Sequence, residues 1–223
     1  MNIALIPLLP LLGAFIPCLF YNRNLNAASA GVIAGFSLLL LLLQAQSVFS
    51  GDMPLYTRSW IPAMGLTFAF RISGFGFLFA LLVLGIGLLI VLYARYYIAA
   101  EDPMGRFYTY LLFFMGSMLG IVLSENLLLL IVFWELTSIS SFLLIGFWRY
   151  RADARQGAFM ALVITAGGGF AMLAGFLLLG HIVGSFELTD ILAAGQIVQA
   201  HPLYPVTLIL ILAGAFTKSA QFP

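Results

Sequence analysis

An all-α polytopic membrane protein of about seven transmembrane helices is what this sequence predicts. The chain is 63% hydrophobic and 8% charged over 223 residues, against about 25% charged in a typical soluble domain. The apolar residues fall into seven runs, at 3–20, 27–48, 73–93, 108–124, 127–147, 157–182 and 203–220. Each is near the roughly 20 residues that cross the hydrocarbon. Backbone groups in lipid must be satisfied within each segment, which makes these runs helices.

The first run has no basic residue before Ile3 and no small-residue cleavage pattern after it, so it reads as a retained helix and not a signal peptide. With the N-terminus outside, the inner loops hold Arg23, Arg95, Arg106, Arg149, Arg151 and Arg155, and the outer loops only Arg58 and Arg71. The positive-inside rule favours that orientation. Tyr93, Tyr96, Tyr97, Trp148 and Tyr150 then stand at inner span ends, as an aromatic belt does. Two outer segments carry structure of their own. Residues 55–72 alternate apolar and polar about Pro62-Ala-Met-Gly65, which predicts a β-hairpin. Residues 186–198 place Leu188, Ile191, Leu192 and Val198 at helical spacing, which predicts a helix lying on the membrane surface. The seventh run ends at Gln221-Phe-Pro223 without a polar tail, so the chain is expected to stop within a domain.

The net charge of +1 and the absence of a large basic cluster exclude nucleic acid as a partner; the bilayer is the expected one. Cys18, the single cysteine, forms no internal disulfide and reads as a packing residue. No cofactor or metal is expected: there is no haem or iron–sulfur motif, and His181 and His201 have no cysteine or carboxylate at ligand spacing. Gly167-Gly-Gly169 lacks a phosphate-loop context and reads as close helix packing or a local kink. Glu125, beside Asn126 in a tight turn, is expected to be solvated. The Arg149–Arg155 region with Asp153 reads as a topology signal.

Two charges lie where water is scarce. Lys218, the only lysine, falls in the seventh run, and Glu135 lies near the middle of the fifth. A charge at a bilayer centre costs roughly 2.5–3.5 kcal/mol on insertion scales, so such residues mark ion or proton pathways. Thr137, Ser138, Ser140 and Ser141 follow Glu135 at once, and their hydroxyls line a hydrated path or allow close helix packing. Gly214 and Pro223 flank Lys218, which predicts a helix that unwinds there. The plain alternatives are a structural ion pair and a lysine that snorkels to the inner surface. His181 and His201 lie at outer span ends, as interfacial residues or an external proton relay.

The stretch from Gly105 to Trp148 resembles the antiporter-like subunits of respiratory complex I and of Mrp-type cation/proton antiporters. Within it, Trp134-Glu-Leu-Thr-Ser-Ile-Ser-Ser-Phe-Leu-Leu-Ile-Gly146 and, further on, Gly214-Ala-Phe-Thr-Lys-Ser-Ala-Gln-Phe-Pro223 look most like the large A subunit of the Mrp complex. The resemblance covers essentially the whole chain. It implies that residues 1–104 hold three N-terminal helices and the hairpin. It also implies that 105–223 begin an inverted-repeat unit, helices four to seven, truncated at a discontinuous seventh helix. Glu135 matches the family's fifth-helix glutamate, and Lys218 the lysine at the break of the seventh helix. The family uses these two for proton translocation; Thr137, Ser138, Ser141 and Thr217 would line the path. Complex I members tend to carry charges in the sixth helix where this chain has Thr165-Ala-Gly-Gly-Gly169, which favours the Mrp side. The implied protein is a transporter subunit, not an enzyme, working with other membrane subunits, protons and sodium in a bacterial inner membrane. The rival readings are a non-transporting fragment and a redox-driven pump subunit.

Overall fold

The computed structural model describes residues 2–221. Among these, five helices are long and apolar enough to cross a membrane: Arg23–Phe49, Gly74–Tyr97, Met104–Leu123, Leu127–Ile145 and Ala152–Val183. Two further apolar stretches, Leu5–Leu19 and Tyr204–Lys218, are shorter. The chain divides into two compact units, one of residues 1–56 and 70–123, the other of 57–69 and 124–223.

In the first unit, α1 (Leu5–Gly13) is followed by a 3-10 turn at Pro17–Leu19. Next come α2 (Arg23–Leu42), the short α3 (Ala45–Phe49), α4 (Gly74–Tyr97) and α5 (Met104–Leu123). Proline shapes the first of these. Pro10 lies inside α1 and has no N–H, so the carbonyl of Ile6 loses its helical partner. Ser37 of α2 supplies the bond instead, its hydroxyl donating to Ile6 O at 2.6 Å in a fully buried position. An unsatisfied carbonyl there would cost about 1–3 kcal/mol. α1 also lies on α5, where Gly116 meets the backbone of Leu11 with no side chain between. Tyr108 of α5, fully buried, donates to Val91 O of α4 at 2.9 Å.

The predicted hairpin is present as β1 (Leu55–Ile61) and β2 (Leu66–Arg71), joined through a 3-10 turn at Pro62–Met64. Gly65 closes the turn at φ +67, a conformation glycine adopts without a steric cost. Trp60 and Phe68 pair edge to face across the strands at 6.1 Å.

The second unit holds α6 (Leu127–Ile145), α7 (Ala152–Val183), α8 (Leu188–Ala193), α9 (Gly195–Ala200) and α10 (Tyr204–Lys218). α7 begins five residues before its apolar run, with Asp153 in its first turn, where a carboxylate complements the helix dipole. The predicted surface helix is two short ones, parted at Ala194. α7 packs against both α6 and α10. Leu127, Ile131, Met172, Phe176 and Ile191 form the buried apolar core.

One expectation is corrected here. Glu125 is 4% exposed, not solvated. The segment before α8 folds back over it: Leu127 N–H donates to Phe186 O at 2.9 Å, and Leu188 N–H to Glu125 O at 2.7 Å. Glu125 Oε1 accepts from the backbone N–H of Thr189 at 3.1 Å and from its hydroxyl, at the start of α8. The turn looked solvated because its cover comes from residues about sixty positions further along the chain.

Candidate functional site

α6 starts at a well-built cap. Asn126, 1% exposed, accepts from the N–H groups of Leu128 and Leu129 at 3.0 and 3.2 Å. Its amide donates to Gly65 O at 3.0 Å and Glu187 Oε1 at 3.1 Å. This fixes the helix that carries Trp134, Glu135, Thr137 and Ser138. Residues three and four apart share a helical face, so Ser138 lies beside both Glu135 and Trp134.

Lys218 is the last residue of α10, with Ser219 as its cap and Ala220 in the left-handed region at φ +54. A non-glycine residue there costs roughly 1–2 kcal/mol, so the helix is sharply stopped at the lysine. Phe222 and Pro223, which carried part of the prediction of a break, lie outside the described residues. The ammonium turns inward, onto α6. It donates to Thr137 Oγ1 at 2.6 Å and to Ser138 Oγ at 3.0 Å. It also lies 5.3 Å from the centre of the Trp134 ring, within cation–π range. Thr137 and Ser138 in turn donate to Trp134 O, at 2.7 and 3.3 Å. The two hydroxyls are thereby oriented with lone pairs free for a cation.

Glu135 is half-buried, on the α7 side of α6. Its Oε1 is buried with no hydrogen-bond partner among the described residues, and so is Nε1 of Trp134. A methyl group built on Gly169 would collide with Oε1, and one on Gly168 with Thr217 Oγ1. Lys218 and Glu135 are near enough to feel each other's charge, while the ammonium's hydrogen bonds go to hydroxyls and not to the carboxylate.

The structure thus brings together Glu135, Thr137, Ser138, Thr217 and Lys218. Thr217 donates back to Gly214 O at 2.9 Å. Ser141 is half-buried one turn beyond Ser138. The histidines stand apart. His181 is in the last turn of α7, about 18 Å along the axis from Gly169 at 1.5 Å per residue. His201 Nδ1 accepts from Leu203 N–H at 3.2 Å, at the far end of α10 from Lys218. Sequence reasoning did not single out Trp134 or the seating of Glu135 against α7. The one available signal was the run of three glycines.

Residues 124–223 match the family described as "NADH:quinone oxidoreductase/Mrp antiporter, TM". Residues 60–108 match "NADH-Ubiquinone oxidoreductase (complex I), chain 5 N-terminus". The chain belongs to this antiporter-like family. The probable K(+)/H(+) antiporter A/B subunit of Rhizobium meliloti is 51% identical over 97% of the chain and 22% of its own length. The large A subunit of the Na(+)/H(+) antiporter of Alkalihalophilus pseudofirmus is 43% identical over 96% of the chain and 27% of its own length. The Mrp complex from Dietzia sp. superimposes with a TM-score of 0.85 at 28% identity, over 99% of this chain and 24% of the other. An archaeal membrane-bound sulfane sulfur reductase shares the fold at a TM-score of 0.80 and 21% identity, over 96% of this chain and 33% of the other. The chain therefore spans about a quarter of the length of the curated relatives it matches.

Proposed function

We propose that this chain forms the first part of a proton-translocating subunit in a multisubunit monovalent cation (Na+)/H+ antiporter of a bacterial inner membrane. It would sit multi-pass, with its N-terminus outside. The observation that carries the reading is the intramembrane pair of Glu135 and Lys218, the ammonium held by Thr137 and Ser138. Antiporter relatives at 43% and 51% identity support the cation-exchange branch over the redox complex that shares the fold at 21%. Residues 105–223 would begin the translocating repeat, and other membrane subunits would complete the assembly.

In this reading Glu135 binds and releases the proton, and Lys218 sets its affinity. Bringing the ammonium toward the carboxylate favours the ionised form and drives the proton off; withdrawing it favours uptake. The hydroxyls of Thr137 and Ser138 offer the ammonium a second resting place, so one lysine has two positions of different effect on Glu135. One charge crossing 100 mV is worth about 2.3 kcal/mol, equivalent to about a fiftyfold change in proton affinity. The membrane potential is thus large enough to drive such a rearrangement.

The test is cation-dependent proton flux in vesicles carrying the complete assembly with Glu135→Gln. The reading predicts loss of exchange with normal assembly. Undiminished exchange would remove Glu135 from the proton path.

A further inference from the structure

We propose that Gly169 is a positioning residue for Glu135: its missing side chain leaves a notch in α7 in which the carboxylate's Oε1 rests. The inference rests on Glu135 being the proton-binding group.

Gly167, Gly168 and Gly169 follow one another in α7, yet their surroundings differ. Successive helical residues point about 100° apart, so three glycines in a row face three directions. A methyl on Gly167 would meet nothing within 4 Å. One on Gly168 would meet Thr217, with its Cβ 2.8 Å and its Cγ2 3.0 Å away. One on Gly169 would collide with Glu135 Oε1 and stand 3.0 Å from its Cδ. Gly168 thus serves helix packing. α10 comes close on the same turn, where a methyl on Gly214 would stand 2.7 Å from Gly168 O. Gly169 faces a different object, the free end of a functional side chain.

That difference decides what a substitution does. The atoms opposing Gly169 are the far end of a flexible chain, which rotates away without moving either helix. Gly169→Ala is therefore tolerated by the fold, and its effect falls on where the carboxylate sits. Oε1 is buried and unpartnered in the notch. A displaced carboxylate changes both its solvation and its distance from Lys218, the charged group facing it from α10. α7 presents no titratable side chain at this level; Asp153, Arg155 and His181 lie toward its two ends.

The experiment is the pH profile of cation-driven proton flux in vesicles of the complete assembly. Wild type, Gly167→Ala, Gly169→Ala and Glu135→Gln are compared at matched levels of assembled protein. Gly169→Ala is expected to move the midpoint of the profile by about half a pH unit or more. Gly167→Ala should leave it in place. Shortening the carboxylate in the Gly169→Ala background, by Glu135→Asp, should recover flux relative to Gly169→Ala alone, because the shorter side chain clears the added methyl. An unchanged profile in Gly169→Ala, with flux lost in Glu135→Gln, overturns the notch while leaving the proton site standing. Loss of assembly in Gly169→Ala but not in Gly167→Ala assigns Gly169 to helix packing and also overturns it. Flux retained in Glu135→Gln overturns the underlying reading instead.

Discussion

Removing the hydroxyl cradle of Lys218 should slow exchange without unfolding the protein. The perturbation is Thr137→Val with Ser138→Ala, which keeps the shape of α6 closely and deletes both acceptors, at 2.6 and 3.0 Å from Nζ. Both positions are buried, Thr137 completely. A hydrogen bond to a charged group is worth about 1.5–3 kcal/mol, so two are worth about twice that in gross terms. The freed ammonium recovers part by turning to water or to Glu135, and the Trp134 ring still faces it. A net loss near that of one bond remains, about 1.5–3 kcal/mol, or roughly ten- to hundredfold in the balance between the lysine's two positions. Exchange in everted vesicles, followed by a pH-sensitive dye after a cation pulse, should fall by a comparable factor. Ser140→Ala is the control, since that hydroxyl donates only to carbonyls of its own helix, at 2.8 and 3.1 Å. Exchange within about twofold of wild type in the double variant, at equal assembly, would refute the idea that these hydroxyls hold a working position of Lys218.

Three further outcomes follow from the packing and the orientation. Asn126→Ala removes the cap of α6 and two donated bonds, a loss of about 2–4 kcal/mol that should appear as a lower melting temperature of the purified assembly in detergent. Gly116→Ala places a methyl 2.6 Å from Leu11 N; it should destabilise by about 1–3 kcal/mol in the same assay, whereas Gly35→Ala, with open space around it, should not. In a Cys18→Ser background, cysteine placed at Ala194 should react with an impermeant maleimide from the outer face and cysteine placed at Asn24 should not; the reverse pattern would invert the proposed orientation.

The sequence made some of this legible and hid the rest, for identifiable reasons. Apolar runs reveal helices because the hydrocarbon demands them, and α4 and α6 follow their runs within a few residues. The hairpin was readable from Gly65 beside a proline turn, a strictly local signal. Prolines in the first run gave less warning: α1 stops at Gly13 and a 3-10 turn follows, because Pro10 and Pro17 cannot donate. Glu125 was misjudged because its burial comes from residues 186–189, and long-range cover leaves no mark on a local pattern. Lys218 and Glu135 stood out because their burial is costly, but the acceptors of the ammonium did not. Which of Gly167, Gly168 and Gly169 faces a side chain depends on the rotation of α7 against α6 and α10, and a run of glycines carries no phase.

The central claim, that Glu135 is the group that gains and loses the proton, is tested most directly by infrared difference spectroscopy of the assembly in membranes. A step in pH or in cation concentration should produce a carboxyl C=O stretching band, and Glu135→Gln should abolish it. The same band at full amplitude in Glu135→Gln would show that another carboxyl carries the proton.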